Sequence, residues 1–357
     1  MVERLWEHTF TTSLGVDASA QPVVLTEVAW NTAQLRERAC EVMFEQHSVP
    51  AFFIAKKAVL SCYASARQTG LVVDCGHACT SAVPVFQGDV VTKGIARSAL
   101  GGLALDDHVL RMLRTQSGLP VRPRCVVAPA GAPPGAPPRQ VRASYYRHCA
   151  REVAREVRQR FGVATQTSSA AEPSTSAAAR SFILPDGTAV ALSAERFDVA
   201  RLLFDASGLE RETAEEGAAA AHVARGASDG AAQKAAADAA PRARLRTAQH
   251  MQSIPDLILK AVRQIGVELR AELFASVVLT GGNSGYDGFA ERFAAEVADI
   301  APGVASHVVA GPASDRALAA WLGASIVGSL SSFNDIAVSR AEYDERGAAA
   351  AVQRKCP

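Results

Sequence analysis

Two stretches constrain the fold more than any other part of the chain, because each runs a buried strand straight into glycine. Residues 71–86, LVVDCGHACTSAVPVF, read as an apolar strand ending on Asp74, a tight turn at Gly76, and a second strand leaving from Thr80. Residues 276–297, SVVLTGGNSGYDGFAERFAAEV, read as another buried strand, a turn at Gly281 and Gly282, and a helix that begins near Tyr286. An acid and a glycine between buried strands suggest that something charged is held at the turn. A glycine pair before a helix lets a ligand approach the backbone and the unpaired N–H groups of the helix N-terminus. A tight turn with no ligand explains either feature alone, so the pairing of the two carries the reading.

Around these turns the chain has an α/β pattern. PVVLTEVA, residues 22–29, is a strand candidate. Asn31 then caps a helix whose apolar positions Leu35, Ala39, Val42 and Met43 recur at helical spacing. Pro50 to Val59 passes from strand to helix, Leu71 to Val91 holds two or three strands, and Leu100 to Leu113 reads as a helix opening on Gly101 and Gly102. APAGAPPGAPP, within residues 126–140, is a linker, since its prolines lack donors and its glycines lack restraint. At Ser253, S-I-P-D predicts a capping box, and Leu257, Ile258, Ala261, Val262, Ile265, Leu269 and Leu273 line one face of a single core helix.

Composition narrows the reading further. Lys and Arg number 37 against 36 Asp and Glu, so net charge marks neither a nucleic-acid binder nor an acidic tail. Locally, seven Arg at 139, 142, 147, 151, 155, 158 and 160 stand against two Glu on a helical pattern; a solvated helix face and a patch touching nucleic acid both remain open. Half of residues 213–240 are Ala, which predicts a disordered insertion with too narrow an apolar stripe to bury. Seven Cys with no C-x-x-C pair fit reduced thiols in the cytosol or nucleus, and Cys75 and Cys79 lack a second pair of ligands for a metal. No apolar stretch reaches the roughly 18 residues that span a bilayer, and the N-terminal residues lack the apolar core of a signal peptide.

VVLTEVAWN, PAFFIAKKAVLSCYASARQTGLVVDCGHACTSAVPV, FILPDGTAVALSAERF, VVLTGGNSGYDGFAERF and the ending WLGASIVGSLSSFNDIAVSRAEYDERG…RKCP resemble the actin superfamily from start to finish. PAFFIAKKAVL and the final RKCP are most similar to the nuclear actin-related proteins of the actin-like 6 type, the fourth actin-related class. The resemblance implies an α/β chain with the actin and Hsp70 ATPase fold, two ribonuclease-H-like lobes clamping a nucleotide between two phosphate hairpins and a glycine-rich adenosine loop. It places Asp74, Cys75 and Gly76 in the second hairpin, and Gly281, Gly282 and Asn283 in the adenosine loop, followed by Tyr286. The first hairpin and the small second subdomain lie, in the family, ahead of the point where this chain begins. An incomplete chain is expected, because losing the opening strands would leave a sheet with an unpaired edge. The implied division is 1–65 with 318–357 as a remnant of subdomain 1, and 66–125 with 250–317 as subdomain 3. Residues 126–204 would be linker and a reduced subdomain 4, and 205–249 the Ala-rich insertion.

The same resemblance weighs catalysis residue by residue. Actins use a Gln and a His to order the attacking water; those positions hold Lys57 and Ser81 here, and His77 replaces an acid beside the turn. Ala317 stands where actins have a Lys over the adenine. The expectation is therefore no ATP hydrolysis, no catalytic residues and no resident metal, with ATP weakly held or absent and magnesium present only with ATP. The function implied is a nuclear scaffold of chromatin-remodelling or histone-acetyltransferase complexes, paired with actin on the helicase-SANT-associated helix of a remodelling ATPase or acetyltransferase scaffold. That helix would dock against Tyr63, Val327, Leu330 and Phe333, residues that ordinary core packing explains about as well. The alternatives are a cytoskeletal actin-like ATP-binding protein and a chromatin factor that binds histones or nucleosomal DNA through the Arg-rich helix.

Overall fold

A computed structural model describes residues 2–118, 121–127, 140–164, 179–193, 195–209 and 251–356. The strands are β1 (Val23–Glu27), β2 (Ala51–Lys56), β3 (Gly70–Cys75), β4 (Thr80–Phe86), β5 (Asp89–Val90), β6 (Ala96–Ser98), β7 (Arg180–Ile183), β8 (Ala189–Leu192), β9 (Val277–Thr280), β10 (Val308–Val309) and β11 (Val338–Ser339). The principal helices are α1 (Val2–His8), α2 (Ala33–Glu41), α3 (Lys57–Ala64), α4 (Gly102–Ser117), α5 (Ala143–Phe161), α6 (Glu195–Phe204), α7 (Ile254–Arg263), α8 (Val267–Phe274), α9 (Phe289–Ile300), α10 (Ala319–Gly328) and α11 (Arg340–Lys355).

The first sheet has the order β1-β2-β11, with β1 parallel and β11 antiparallel to β2. The second runs β10-β9-β3-β4-β5 with β6 on the far part of β4, and β7 pairs with β8 in a hairpin. β3 shows why its sequence is apolar except at Asp74, next to its turn end. Leu71, Val73 and Cys75 face the largest core cluster, whereas Val72 faces a smaller one holding Ala58 and Cys62 of α3. A strand covered on both faces has no polar side to show.

The largest cluster joins residues of β3, α4, α5, α6, α7 and α9, and a second joins Met43, Phe44, Phe52 and Ile54 to Val338, Val352 and Cys356 near the chain's end. α3 and α10 touch most closely at Gly323: a Cβ there would lie 1.9 Å from the Leu60 carbonyl oxygen, so only glycine allows this crossing. Among the described residues no helix is long and apolar enough to cross a membrane.

Four boundaries differ from the sequence reading. Thr32, not Asn31, caps α2 by accepting from the Leu35 N–H, because the Asn31 amide instead donates to Glu27. The single helix expected after Ser253 is two, broken at Gln264 to Gly266. The Ser253 hydroxyl accepts from the Asp256 N–H, and the Asp256 carboxylate accepts from that same hydroxyl, so the full reciprocal box is not formed. The helix expected near Tyr286 begins at Phe289, because Gly282–Gly285 forms a short 3-10 turn and Gly288 takes a φ of +77° ahead of the helix. Residues 205–209, assigned to the disordered insertion, are ordered, with Ala206 and Leu209 buried in the main core. The remainder of that insertion, including 213–240, and the Pro-rich 128–139 lie outside the described residues.

Candidate functional site

β3 and β9 run parallel, Asp74 opposite Thr280, so the two glycine turns noted in the sequence leave the sheet side by side. Gly281 takes a φ of +94°, and a Cβ on it would lie 2.5 Å from the Cys75 backbone. Only glycine permits so close an approach of the two turns. They are also tied together, since the Asn283 amide donates to the Gly76 carbonyl at 2.7 Å.

The polar groups at these turns are satisfied by one another. Asp74, which is 8% exposed, is ion-paired with the Lys57 ammonium at the start of α3. The first amides of α4, on Gly102 and Leu103, donate to the carbonyls of Gly76 and His77 at 3.1 and 2.8 Å. Arg158 of α5 is buried, donating to Asp106 at 2.8 Å, to the Asn283 side-chain oxygen at 2.6 Å and to the Tyr286 hydroxyl. Burial opposes the Arg158 charge, but Tyr286 and Asp106 outweigh it and hold the guanidinium above its ordinary range. Desolvation and the neighbouring Arg155 push the His77 imidazole down.

The six residues assigned to nucleotide binding, Asp74, Gly76, Gly281, Gly282, Asn283 and Tyr286, lie together at these turns. As arranged they do not fit a magnesium nucleotide. The carboxylate that would face a hydrated metal already faces Lys57, the Asn283 amide group is engaged at both its oxygen and its nitrogen, and the cavity beside Asp74, Lys57 and Ser81 is about 10 Å³. Among the described residues no cluster of three or more His, Cys, Asp or Glu is positioned to hold a metal.

The sequence reading missed Arg158 and Asp106. The Arg-rich helix offered a solvated face or a nucleic-acid patch, yet Arg151 binds Asp107, Arg155 pairs with Glu152 beside His77, and Arg158 is inside. The adjacent acids Asp106 and Asp107 on α4 were the available signal.

The second candidate site is a groove of about 700 Å³, lined among others by Phe53, Tyr63, Asp89, Ile326, Val327 and Leu330. Ile326 on α10 and Leu330, just past its end, are about half exposed here, while Val327 is buried. Three of the four expected docking residues thus share this groove. Phe333 does not line it; it is 5% exposed and packs edge-on against Phe53, in the layer behind.

A family model described as Actin matches residues 1–357. The chain is 31% identical over 371 residues to a protein of Arabidopsis thaliana named Actin-related protein 4, covering 100% of this chain and 76% of the relative. A protein of the same name from Oryza sativa subsp. indica is 31% identical over 365 residues, with the same coverage. Another from Neurospora crassa is 31% identical over 368 residues, covering 97% of this chain and 71% of the relative.

Proposed function

The chain belongs to the actin family, and we propose that it acts as a non-catalytic scaffold in chromatin-remodelling or histone-acetyltransferase assemblies rather than as an ATPase. The observation that carries this reading is the apolar groove between α3, β5 and α10. Its walls are preformed by close helix packing at Gly323, and its half-exposed Ile326 and Leu330 offer anchors for the apolar stripe of an amphipathic helix. The proposed occupant is the helicase-SANT-associated helix of a remodelling ATPase or acetyltransferase scaffold, with actin as the neighbour on that helix and the nucleus as the site of action.

Two further features support a scaffold. Lys57 on Asp74 leaves the hairpin without a free metal-facing carboxylate, in keeping with weak nucleotide binding and no hydrolysis. Arg151, Arg155 and Arg158 face acids of the chain itself, which argues against the reading as a free DNA or histone binder.

The test is the affinity of the purified chain for a helicase-SANT-associated helix peptide. Leu330→Asp places a charge in a desolvated groove and is expected to cost about 2 kcal/mol or more, roughly a thirtyfold loss. Gln68→Ala on the exposed rim is expected to change little. Unchanged affinity in Leu330→Asp would remove the groove as the docking site. Pull-down from nuclear extract should recover actin with the wild-type chain.

A further inference from the structure

Residues 108–151 hold eight Arg, at 111, 114, 122, 124, 139, 142, 147 and 151, and no Lys, Asp or Glu. The fold gathers most of them at one end of a helix pair. α4 opens beside the last turns of α5, where Asp106 meets Arg158 at 2.8 Å. At the opposite end, Tyr146 in the first turn of α5 donates to the Val121 carbonyl at 2.7 Å, just past the close of α4. The two helices therefore run antiparallel, and the end of α4, the 121–127 segment and the start of α5 meet.

Arg151 pairs with Asp107, Arg111 has a partner within the chain, and Arg139 lies outside the described residues. The other five, Arg114, Arg122, Arg124, Arg142 and Arg147, are exposed, and among the described residues none of them forms an ion pair. Acids of the neighbouring elements are engaged elsewhere. Glu195 of α6 accepts from Gln116 and the Ser193 N–H, and Glu152 of α5 pairs with Arg155. Arg114, in the last turn of α4, offsets the negative end of that helix. The start of α5 adds to the positive charge instead, because no side chain caps it and its first amides remain beside Arg142.

We infer that this end of the helix pair is a nucleic-acid contact surface, one that holds the phosphate backbone without reading bases. The surface is separate from the groove beside α10 and does not depend on what docks there. It makes no use of Arg155 or Arg158, whose inward pairs leave the far end of α5 purely structural. The chemistry favours phosphate. A guanidinium holds two phosphate oxygens at once and is more weakly hydrated than an ammonium. The five side chains stand on three separate stretches of backbone, so their charge is spread rather than focused in one slot. Spread charge suits a partner whose own charge repeats along its length, and a nucleic-acid duplex carries one charge about every 1.7 Å of its axis.

The experiment follows the fluorescence anisotropy of a labelled DNA duplex of arbitrary sequence, about 30 base pairs long, titrated with the full purified chain between about 50 and 200 mM salt. With four or five phosphates neutralised, log affinity should fall against log salt with a slope of about −4, a weakening of roughly 250-fold over that range. Arg124→Gln and Arg142→Gln should each reduce the slope by about one. Combining them with Arg122→Gln should bring it to about −1 and weaken binding at least about tenfold at the lower salt, with an unchanged melting temperature because all three side chains are exposed. Arg160→Gln, on the same helix but paired with Glu156, should leave slope and affinity as they are. An unlabelled single strand of equal length should displace the duplex, since no base pair is read. The proposal is overturned if the wild type leaves the duplex free at the lower salt, if its affinity is independent of salt, or if the triple variant binds as the wild type does. It is equally overturned if polyglutamate displaces the duplex as well as unlabelled DNA, which would make the partner an acidic protein segment.

Discussion

The ammonium of Lys57, at the first position of α3, is ion-paired with the carboxylate of Asp74, at the turn end of β3. The pair ties the start of α3 to the turn end of β3 and leaves the Asp74 carboxylate facing a cation of the chain itself. Purified chain should therefore release phosphate from ATP no faster than buffer. Turnover that disappears on Asp74→Ala would refute this. Lys57→Met strands a nearly buried carboxylate. Breaking a buried pair costs about 3–5 kcal/mol, and because Lys57 is 36% exposed the expected loss here is about 1–2 kcal/mol in denaturant unfolding.

Arg158 is a structural cation. Arg158→Met leaves Asp106, which is fully buried, without its closest partner, and should cost about 3 kcal/mol or more. Arg160→Ala, on an exposed side chain two positions later, should stay within about 0.5 kcal/mol. Equal denaturant midpoints for the two variants would contradict this placement of Arg158.

Glycine substitutions on α10 should have opposite signs. Gly323→Val drives a side chain into the Leu60 backbone, where no rotamer relieves the overlap, and should cost more than the about 1–3 kcal/mol usual for overpacking. Gly328→Ala meets only Val24, at 3.7 Å, and should be neutral or stabilising by up to about 1 kcal/mol. Thermal melts of the two variants are the check.

Stability should fall at low pH through Glu342. It closes the capping box of α11 with Ser339, and its bond to Lys355, followed by the Ser339 backbone N–H, lowers its pKa from 4.5 to about 2. A carboxylate depressed in the folded state contributes fully above pH 4.5, and that contribution fades as pH falls toward about 2. The gap in melting temperature between wild type and Glu342→Gln should therefore be widest above pH 4.5 and shrink below it. A gap independent of pH would show that the charge contributes nothing.

The sheet and its turns were legible because their signals are local: apolar runs at 71–73 and 277–279, and glycines where β3 and β9 end. What escaped depends on partners distant in sequence. Arg158 resembles its exposed neighbours until α4 brings Asp106 against it. Phe333 shows the reverse error. Its match to a docking residue was read from its place in the chain, whereas one more layer of packing puts it behind the groove surface. Helix starts slipped by one to three residues because the Asn31 amide found another hydrogen-bond partner and Gly288 takes a left-handed φ ahead of α9.

The pairing of β3 with β9 has a consequence during synthesis. Leu71 lies opposite Val277, so at about 5–20 residues per second an apolar strand waits roughly 10–40 s on the ribosome before its parallel neighbour emerges. Throughout that interval one edge of β3 offers unpaired amides and carbonyls to any other nascent strand. Such a chain needs an attendant that holds exposed edges apart, and its yield in a cell should follow chaperone supply more closely than the final stability of the fold.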